Sequence, residues 1–314
     1  MYPLKFRNIY YEKPWGSNKL SKYRKDIIKE NIGESWEIAC HNNGMVEVSN
    51  GKFAGEALIG IINKMKKLLL GDKIYKGKFS NKDFPLLIKL ISSGENLSVQ
   101  VHPDNDYALL KENDNGKVEA WYILSVENEA EIIVGTNGCT KESFKDSCSG
   151  EKVESYMNRI HVKPGELYLI EPGLLHSIGK GVILLEIQQN SDITYRVYDY
   201  NRGRQLNISD ALKVIDFELK AKPININKNI SFQKCVTREG FNIDIYDIDG
   251  EMCETSDKDR FYIYTCVEGE GIIKYEDDGI QCEEPIANLE SVLIPAYLGR
   301  HSLIGKMKIL KSYV

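Results

Sequence analysis

Beyond Pro85 the chain alternates short apolar stretches with turn residues. Phe84-Pro85-Leu86-Leu87-Ile88-Lys89-Leu90-Ile91 is a nearly continuous apolar run, and Leu97-Ser98-Val99-Gln100-Val101-His102 alternates with period two. Trp121-Tyr122-Ile123-Leu124, Ala130-Glu131-Ile132-Ile133-Val134, Leu167-Tyr168-Leu169-Ile170 and Val182-Ile183-Leu184-Leu185-Glu186-Ile187 come next, separated by Gly, Pro and Asn. Short β segments at this spacing predict a sandwich or a barrel. Helical spacing occurs in one place, at Ala54, Leu58, Ile61, Met65 and Leu69, and predicts an amphipathic helix within Lys52 to Leu70 that stops at Gly71. The polar stretch from about 140 to 157 predicts a small helical insertion. A linker is expected around Asn207 to Asn229, after a short helix at Ser209 to Phe217.

The β pattern occurs twice. Tyr168-Leu169-Ile170-Glu171-Pro172-Gly173-Leu174-Leu175-His176-Ser177-Ile178-Gly179-Lys180 resembles Val292-Leu293-Ile294-Pro295-Ala296-Tyr297-Leu298-Gly299-Arg300-His301-Ser302-Leu303-Ile304-Gly305-Lys306, with one inserted residue. Two copies suggest a duplicated β-barrel rather than a solenoid. The expected organisation is a first domain over residues 1–220, with amino-terminal elements and the helical insertion, and a second over 221–314.

Composition narrows the classes. The 314 residues, 42% apolar and 28% charged, are long enough for two buried cores. A net charge of −5 gives no broad basic field for nucleic acid or an anionic membrane, so an anionic substrate must be held by a few placed cations. The first residues, Met1 to Arg7, lack the apolar core of a signal peptide, and no apolar run approaches the roughly 20 residues of a membrane helix. The seven cysteines, at 40, 139, 148, 235, 253, 266 and 282, form no C-x-x-C pair and read as reduced thiols of a cytoplasmic protein.

On a strand, Gln100 and His102 point to one face. Glu119 opens the segment Glu119-Ala120-Trp121-Tyr122, and His176 follows the tight turn at Pro172-Gly173. One amide oxygen, two imidazoles and a carboxylate make a divalent-metal set that suits zinc, with iron or manganese as alternatives. Singly, each residue has an ordinary structural reading, and His161 and His301 keep it, since neither has partners like Gln100 and His102. Among the cations, Lys89 lies in an apolar run, so it either snorkels to solvent or faces a polar cavity. Lys117 lies two residues from Glu119. Arg196, flanked by Tyr195 and Tyr198, either grips a phosphate or pairs with Asp199 or Asp192.

Gly94-Glu95-Asn96-Leu97-Ser98-Val99-Gln100-Val101-His102-Pro103-Asp104, Gly116-Lys117-Val118-Glu119-Ala120-Trp121-Tyr122, Pro172-Gly173-Leu174-Leu175-His176-Ser177-Ile178-Gly179 and Tyr195-Arg196-Val197-Tyr198-Asp199-Tyr200 resemble the motifs of type I mannose-6-phosphate isomerases in their short bacterial form. Trp15-Gly16 and Gly33-Glu34-Ser35-Trp36-Glu37 resemble that family's amino-terminal elements, and the likeness weakens after about residue 220. The resemblance implies a mainly β fold of two cupin-type barrels (jelly rolls), the second without a metal. It implies one zinc ion per chain on Gln100, His102, Glu119 and His176, and places Ser98, Lys89, Lys117 and Arg196 around the substrate, with Arg196 and Lys117 catalytic. The implied reaction interconverts mannose 6-phosphate and fructose 6-phosphate through an enediol(ate), in a cytoplasmic monomer or homodimer whose partner is a small sugar phosphate. Lys117, Lys89 and a metal-bound hydroxide are alternative bases.

Two departures from the family pattern stand out: Asn105 follows Asp104 where a second acid is usual, and Glu171 precedes Pro172, adding negative charge near the site. Two rival functions remain at this level. A cupin iron oxygenase would consume oxygen when given iron, and a non-catalytic sugar-phosphate-binding regulator would bind mannose 6-phosphate without converting it.

Overall fold

The structure, a computed structural model, describes residues 1–77, 83–148 and 151–314. It is mainly β, as the alternation predicts, and its sheets are sandwich-like rather than closed barrels. Two compact units interleave along the chain. One takes Met1–Ile9, Trp36–Leu87 and Asn225–Val314, and the other Tyr10–Ser35 and Ile88–Ile224.

The unit around residues 88–224 holds two sheets. A five-stranded sheet runs in the order Met157–His161, Glu131–Thr136, His176–Ile178, Val99–Val101, Tyr195–Tyr198. A six-stranded sheet has the order Leu167–Ile170, Glu119–Val126, Val182–Gln189, Leu86–Ser92, Ile32–Ile38, Ile9–Ser17. Among the described residues the edge strands Met157–His161 and Tyr195–Tyr198 do not pair with each other, which leaves the first sheet open.

Side-chain alternation decides what enters the space between the sheets. Val99, Val101, Tyr195, Val197 and Leu175 lie in one apolar cluster with Phe144, Ala211 and Leu212 from the helices Lys141–Ser147 and Ile208–Val214. The intervening residues Gln100, Arg196 and His176 are thereby turned the other way. On Glu119–Val126, Trp121 and Ile123 join a second cluster with Tyr168, Ile170, Leu184 and Ile132.

The expected helices are only partly realised. Within Lys52 to Leu70 the chain forms Leu58–Met65 and Lys67–Leu70, broken at Lys66, whose φ of 52° is left-handed and cannot continue a helix. The stop at Gly71, with φ of 96°, agrees with the expectation. The insertion at 140–157 holds the helix Lys141–Ser147, started by a Thr140–Ser143 capping box, and a 3-10 turn at Glu151–Tyr156. Positions 149 and 150 of that expectation lie outside the described residues. The helix expected at Ser209 to Phe217 is Ile208–Val214. The linker segment beyond it is tied down at both ends: Asp216 donates its N–H to the Gly173 carbonyl at 3.0 Å and Ile224 donates to Leu167 at 2.7 Å.

The other unit carries a sheet in the order Phe232–Arg238, Phe241–Thr255, Arg300–Tyr313, Tyr262–Asp277, Ile280–Ile286, with Ser291–Ile294 also paired to Tyr262–Asp277. Gly250, Gly305 and Gly271 share one row across its three long strands. A Cβ on Gly305 would lie 2.5 Å from the Glu270 carbonyl oxygen, so the strands approach there more closely than a side chain allows.

Gly116 has a similar part beside the site. A Cβ there would stand 2.4 Å from the Asp104 carbonyl carbon, and its N–H donates to Asn105 Oδ1 at 3.0 Å. Asn105 therefore anchors the loop leading to Lys117, a part that an acidic oxygen could also fill. Gly116→Ala should lower stability by about 1–3 kcal/mol in urea unfolding; an unchanged midpoint would contradict the tight packing.

Candidate functional site

Register brings the polar residues together. His176 and Arg196 are the direct neighbours of Gln100 on either side in the five-stranded sheet. Glu119 and Trp121 face Gln188 and Glu186 in the six-stranded sheet. The turn before His176 is held by Gly173, φ 85°, whose N–H donates to the His102 carbonyl at 2.9 Å. His102 stands one residue past the end of Val99–Val101 and is 1% exposed.

His102, Glu119 and His176 each offer one donor atom, all within 4.8 Å of one another and all buried. His102 Nδ1 lies 2.7 Å from the Ile193 carbonyl and His176 Nδ1 lies 2.9 Å from that of Leu174. A carbonyl only accepts, so each Nδ1 carries the proton and each Nε2 presents a lone pair. Those lone pairs face Glu119: His102 Nε2 is 3.0 Å from Oε1 and His176 Nε2 is 3.9 Å from Oε2. Imidazoles anchored by backbone carbonyls in this way are typical of metal sites.

Gln100 lies beside them, its amide nitrogen 3.4 Å from His176 Nε2, with Ser98 Oγ donating to its oxygen at 3.3 Å. The nitrogen therefore takes the place where the sequence reading puts the oxygen. A half-turn about the last side-chain bond exchanges the two.

Charge is arranged in buried pairs. Lys117 Nζ is 2.5 Å from Glu119 Oε1 and 3.4 Å from His102 Nε2. Lys89 Nζ is 3.5 Å from Glu186 Oε1. Burial alone would push the Glu119 carboxyl up, but Lys117, His102 and His176 hold it well below the ordinary range, so it stays ionised. Burial would likewise drive Lys89 down, yet Glu34, Glu186, Asp192 and Glu119 together raise it, so it stays an ammonium. Of the two readings of Lys89, the polar cavity is therefore the one realised.

That cavity has a volume of about 370 Å³ and is lined by Lys13, Trp15, Glu34, Lys89, Ile91, Leu97, Ser98, Gln100, Lys117, Glu186, Asp192, Thr194, Arg196 and Arg204. Glu171 is not part of its lining. The expected pairing of Arg196 with Asp199 does not form. Asp199 is taken by Arg202 at 2.8 Å and by Arg204 at 2.5 Å, while Arg196 donates to the Gln205 carbonyl at 3.0 Å and leaves its Nε buried without a partner. Among the described residues, Arg196 makes no ion pair.

Sequence reasoning missed Glu186, Asp192, Arg204 and Lys13 as cavity residues. A signal existed for Glu186, an acid inside the apolar run Val182 to Ile187, by the argument applied to Lys89. His161 is exposed, with Nδ1 at 3.1 Å from the Glu129 carbonyl, and His301 is buried, with Nε2 at 3.0 Å from the Tyr264 hydroxyl.

A sandwich whose inner face gathers these donors beside a cation-lined cavity could hold a metal ion and a polar small molecule. Residues 4–131 match the family described as phosphomannose isomerase type I, catalytic domain, and residues 231–314 match the mannose-6-phosphate isomerase cupin domain. "Probable mannose-6-phosphate isomerase GmuF" of Bacillus subtilis is 34% identical, over 99% of each chain. "Mannose-6-phosphate isomerase ManA" of the same organism is 31% identical, again over 99% of each. A crystal structure of the Bacillus subtilis mannose 6-phosphate isomerase superposes with a TM-score of 0.87 at 32% identity, covering 100% of both chains. The chain belongs to the type I phosphomannose isomerase family and is an enzyme.

The family implies a metal ion, and the residues fit one. Glu119 Oε1 is buried, paired with the Lys117 ammonium and faced by the His102 Nε2 lone pair at 3.0 Å. With two neutral nitrogen donors it makes a set to which a divalent cation is the natural partner.

The anchored imidazoles also set a pH dependence. Burial, with Lys117 second, lowers the pKa of His102; burial, with His102 second, brings His176 down to about 3. An unfolded histidine, near about 6.5, takes up a proton that these refuse, so their contribution is complete above that pH and is lost as pH falls below it. Unfolding free energy should drop between about pH 7 and pH 5, by up to about 1.4 kcal/mol per pH unit for each group. His176→Gln should flatten the profile, and a flat wild-type profile would contradict the buried neutral imidazoles.

Proposed function

We propose that this enzyme interconverts mannose 6-phosphate and fructose 6-phosphate, with one zinc ion held by Gln100, His102, Glu119 and His176. The observation that carries the reading is the buried Glu119 carboxylate, which two histidine lone pairs face, one at each oxygen, beside a cation-lined cavity. When bound, the ion supplies positive charge for the substrate's C1 and C2 oxygens.

The remaining work falls to the chain. Arg196, with no carboxylate partner, and Arg204, which shares Asp199 with Arg202, form the cavity's under-neutralised end, where a phosphate dianion lowers the electrostatic cost. Anchored there, a hexose directs its first two carbons toward Gln100 and Lys117. Lys89, held as an ammonium, stabilises negative charge on the enediolate oxygens and does not serve as a base. Lys117 Nζ, a cation beside Glu119, is assigned to the proton exchanged between the C1 and C2 oxygens, and Ser98 to orienting the Gln100 amide.

Catalysis is assigned to residues 1–220, and residues 221–314 to a second domain without a metal. In the latter His301 spends its Nε2 on Tyr264, and Glu254 is occupied by Tyr246 at 3.1 Å and Lys311 at 3.0 Å. Among the described residues no helix is long and apolar enough to cross a membrane. We place the enzyme in the cytoplasm as a monomer or homodimer acting on a small sugar phosphate, with no nucleic-acid partner.

A coupled assay on mannose 6-phosphate, with metal analysis of the same sample, tests the proposal. Turnover should track about one equivalent of zinc per chain, and His102→Ala or His176→Ala should lose both together. Full turnover by a metal-free variant would refute the ligand assignment. Arg196→Ala should keep the fold and lose about 100-fold or more in kcat/KM, the scale expected of a desolvated charged contact to phosphate; an unchanged value would remove its phosphate role.

A further inference from the structure

Trp121 is 1% exposed and lies two residues from Glu119 on the same strand face, opposite Glu186 in register. Its indole N–H stands 3.1 Å from Glu119 Oε2 and 3.1 Å from Glu186 Oε2, so one donor is shared by two buried carboxylates. Its ring meets His176 edge-on, with centroids 5.4 Å apart and planes at 77°. One uncharged side chain thus touches two of the donors gathered at the site.

We propose that Trp121 is a positioning residue of the metal centre: its N–H engages Glu119 Oε2 so that Oε1 is presented to the ion, and its ring fixes the plane of His176. This rests on the reading of the metal centre given above. The argument is one of donors. Among the described residues the indole N–H is the only hydrogen bond that Glu119 Oε2 accepts, because the His176 Nε2 near it carries a lone pair and no proton. Without that hydrogen bond the carboxylate could turn about its last bond or take the ion with both oxygens. The bond to Glu186 adds a second constraint. Two buried carboxylates that close together repel, and a shared donor between them fixes their spacing where a charged donor would add a competing cation. A phenylalanine fills most of the same volume and lacks the N–H, so the role is separable from packing.

The test compares wild type and Trp121→Phe, each purified with its metal, by competition with a chromogenic chelator, with melting temperature and turnover measured in parallel. A positioning role predicts metal binding about 10- to 100-fold weaker in the folded variant, the usual cost of losing a partner behind a metal ligand, with kcat falling and KM for mannose 6-phosphate little changed. A purely structural role would lower the melting temperature and leave metal affinity at the wild-type value, and that result would overturn the proposal. If the phenylalanine variant does not fold, β-(3-benzothienyl)alanine at position 121, which keeps the bicyclic shape and puts sulfur in place of N–H, decides by the same two outcomes. A wild type that carries no metal would overturn the reading of the centre itself, and this inference with it.

Discussion

A carboxylate that is 1% exposed must be surrounded by positive charge or it will not stay ionised, and the unit around residues 88–224 is organised around that requirement at Glu119. Lys117 supplies one cation, two imidazoles turn their unprotonated nitrogens inward, and an indole N–H covers the second oxygen. Glu186 and Lys89 repeat the pairing one row further in. The chain has concentrated charge in a place where unpaired charge is costly, and has turned two imidazole lone pairs onto the same carboxylate. That arrangement links the fold to the chemistry.

The framework that permits this is ordinary strand alternation. Outward-facing Val99, Val101, Tyr195 and Val197 pack against the helices Lys141–Ser147 and Ile208–Val214, so the residues between them can be polar without exposing the core. The two sheets contribute differently. The five-stranded sheet brings Gln100, His176 and Arg196 into one row, and the six-stranded sheet brings Glu119, Trp121, Lys89 and Glu186. Chain order says little about this, since Glu119 and Glu186 are 67 positions apart and both accept from the same N–H.

Period-two patterns around Gln100 and His102 and the turn before His176 were legible because they depend only on local geometry. The resemblance to a known family supplied what spacing could not, including Ser98 and the placing of Lys89, Lys117 and Arg196 around a substrate. Where two readings of a residue stood open, only tertiary structure chose. Lys89 turns to the cavity, where Glu186 pairs with it and Glu34, Asp192 and Glu119 add favourable charge, and Arg196 is free of Asp199 because Arg202 and Arg204 reach that acid first. The helix break at Lys66 was invisible because its left-handed backbone is not demanded by the residue itself. The mainly β fold was legible from the repeat, but that its sheets are sandwich-like rather than closed was not, because pairing between edge strands is a property of the whole sheet. Trp121 belongs to an apolar β segment and to the core; its contact with both carboxylates appears only when Glu186 is brought opposite it.

The central claim is that one divalent ion is bound by two imidazole nitrogens and two side-chain oxygens in this chain. X-ray absorption at the zinc edge of the purified protein tests it most directly. The account predicts a four- or five-coordinate ion with two imidazole scatterers, nitrogen or oxygen neighbours at about 2.0–2.2 Å, and no sulfur at about 2.3 Å. A spectrum dominated by sulfur, or by six water-like oxygens without imidazole, would contradict it.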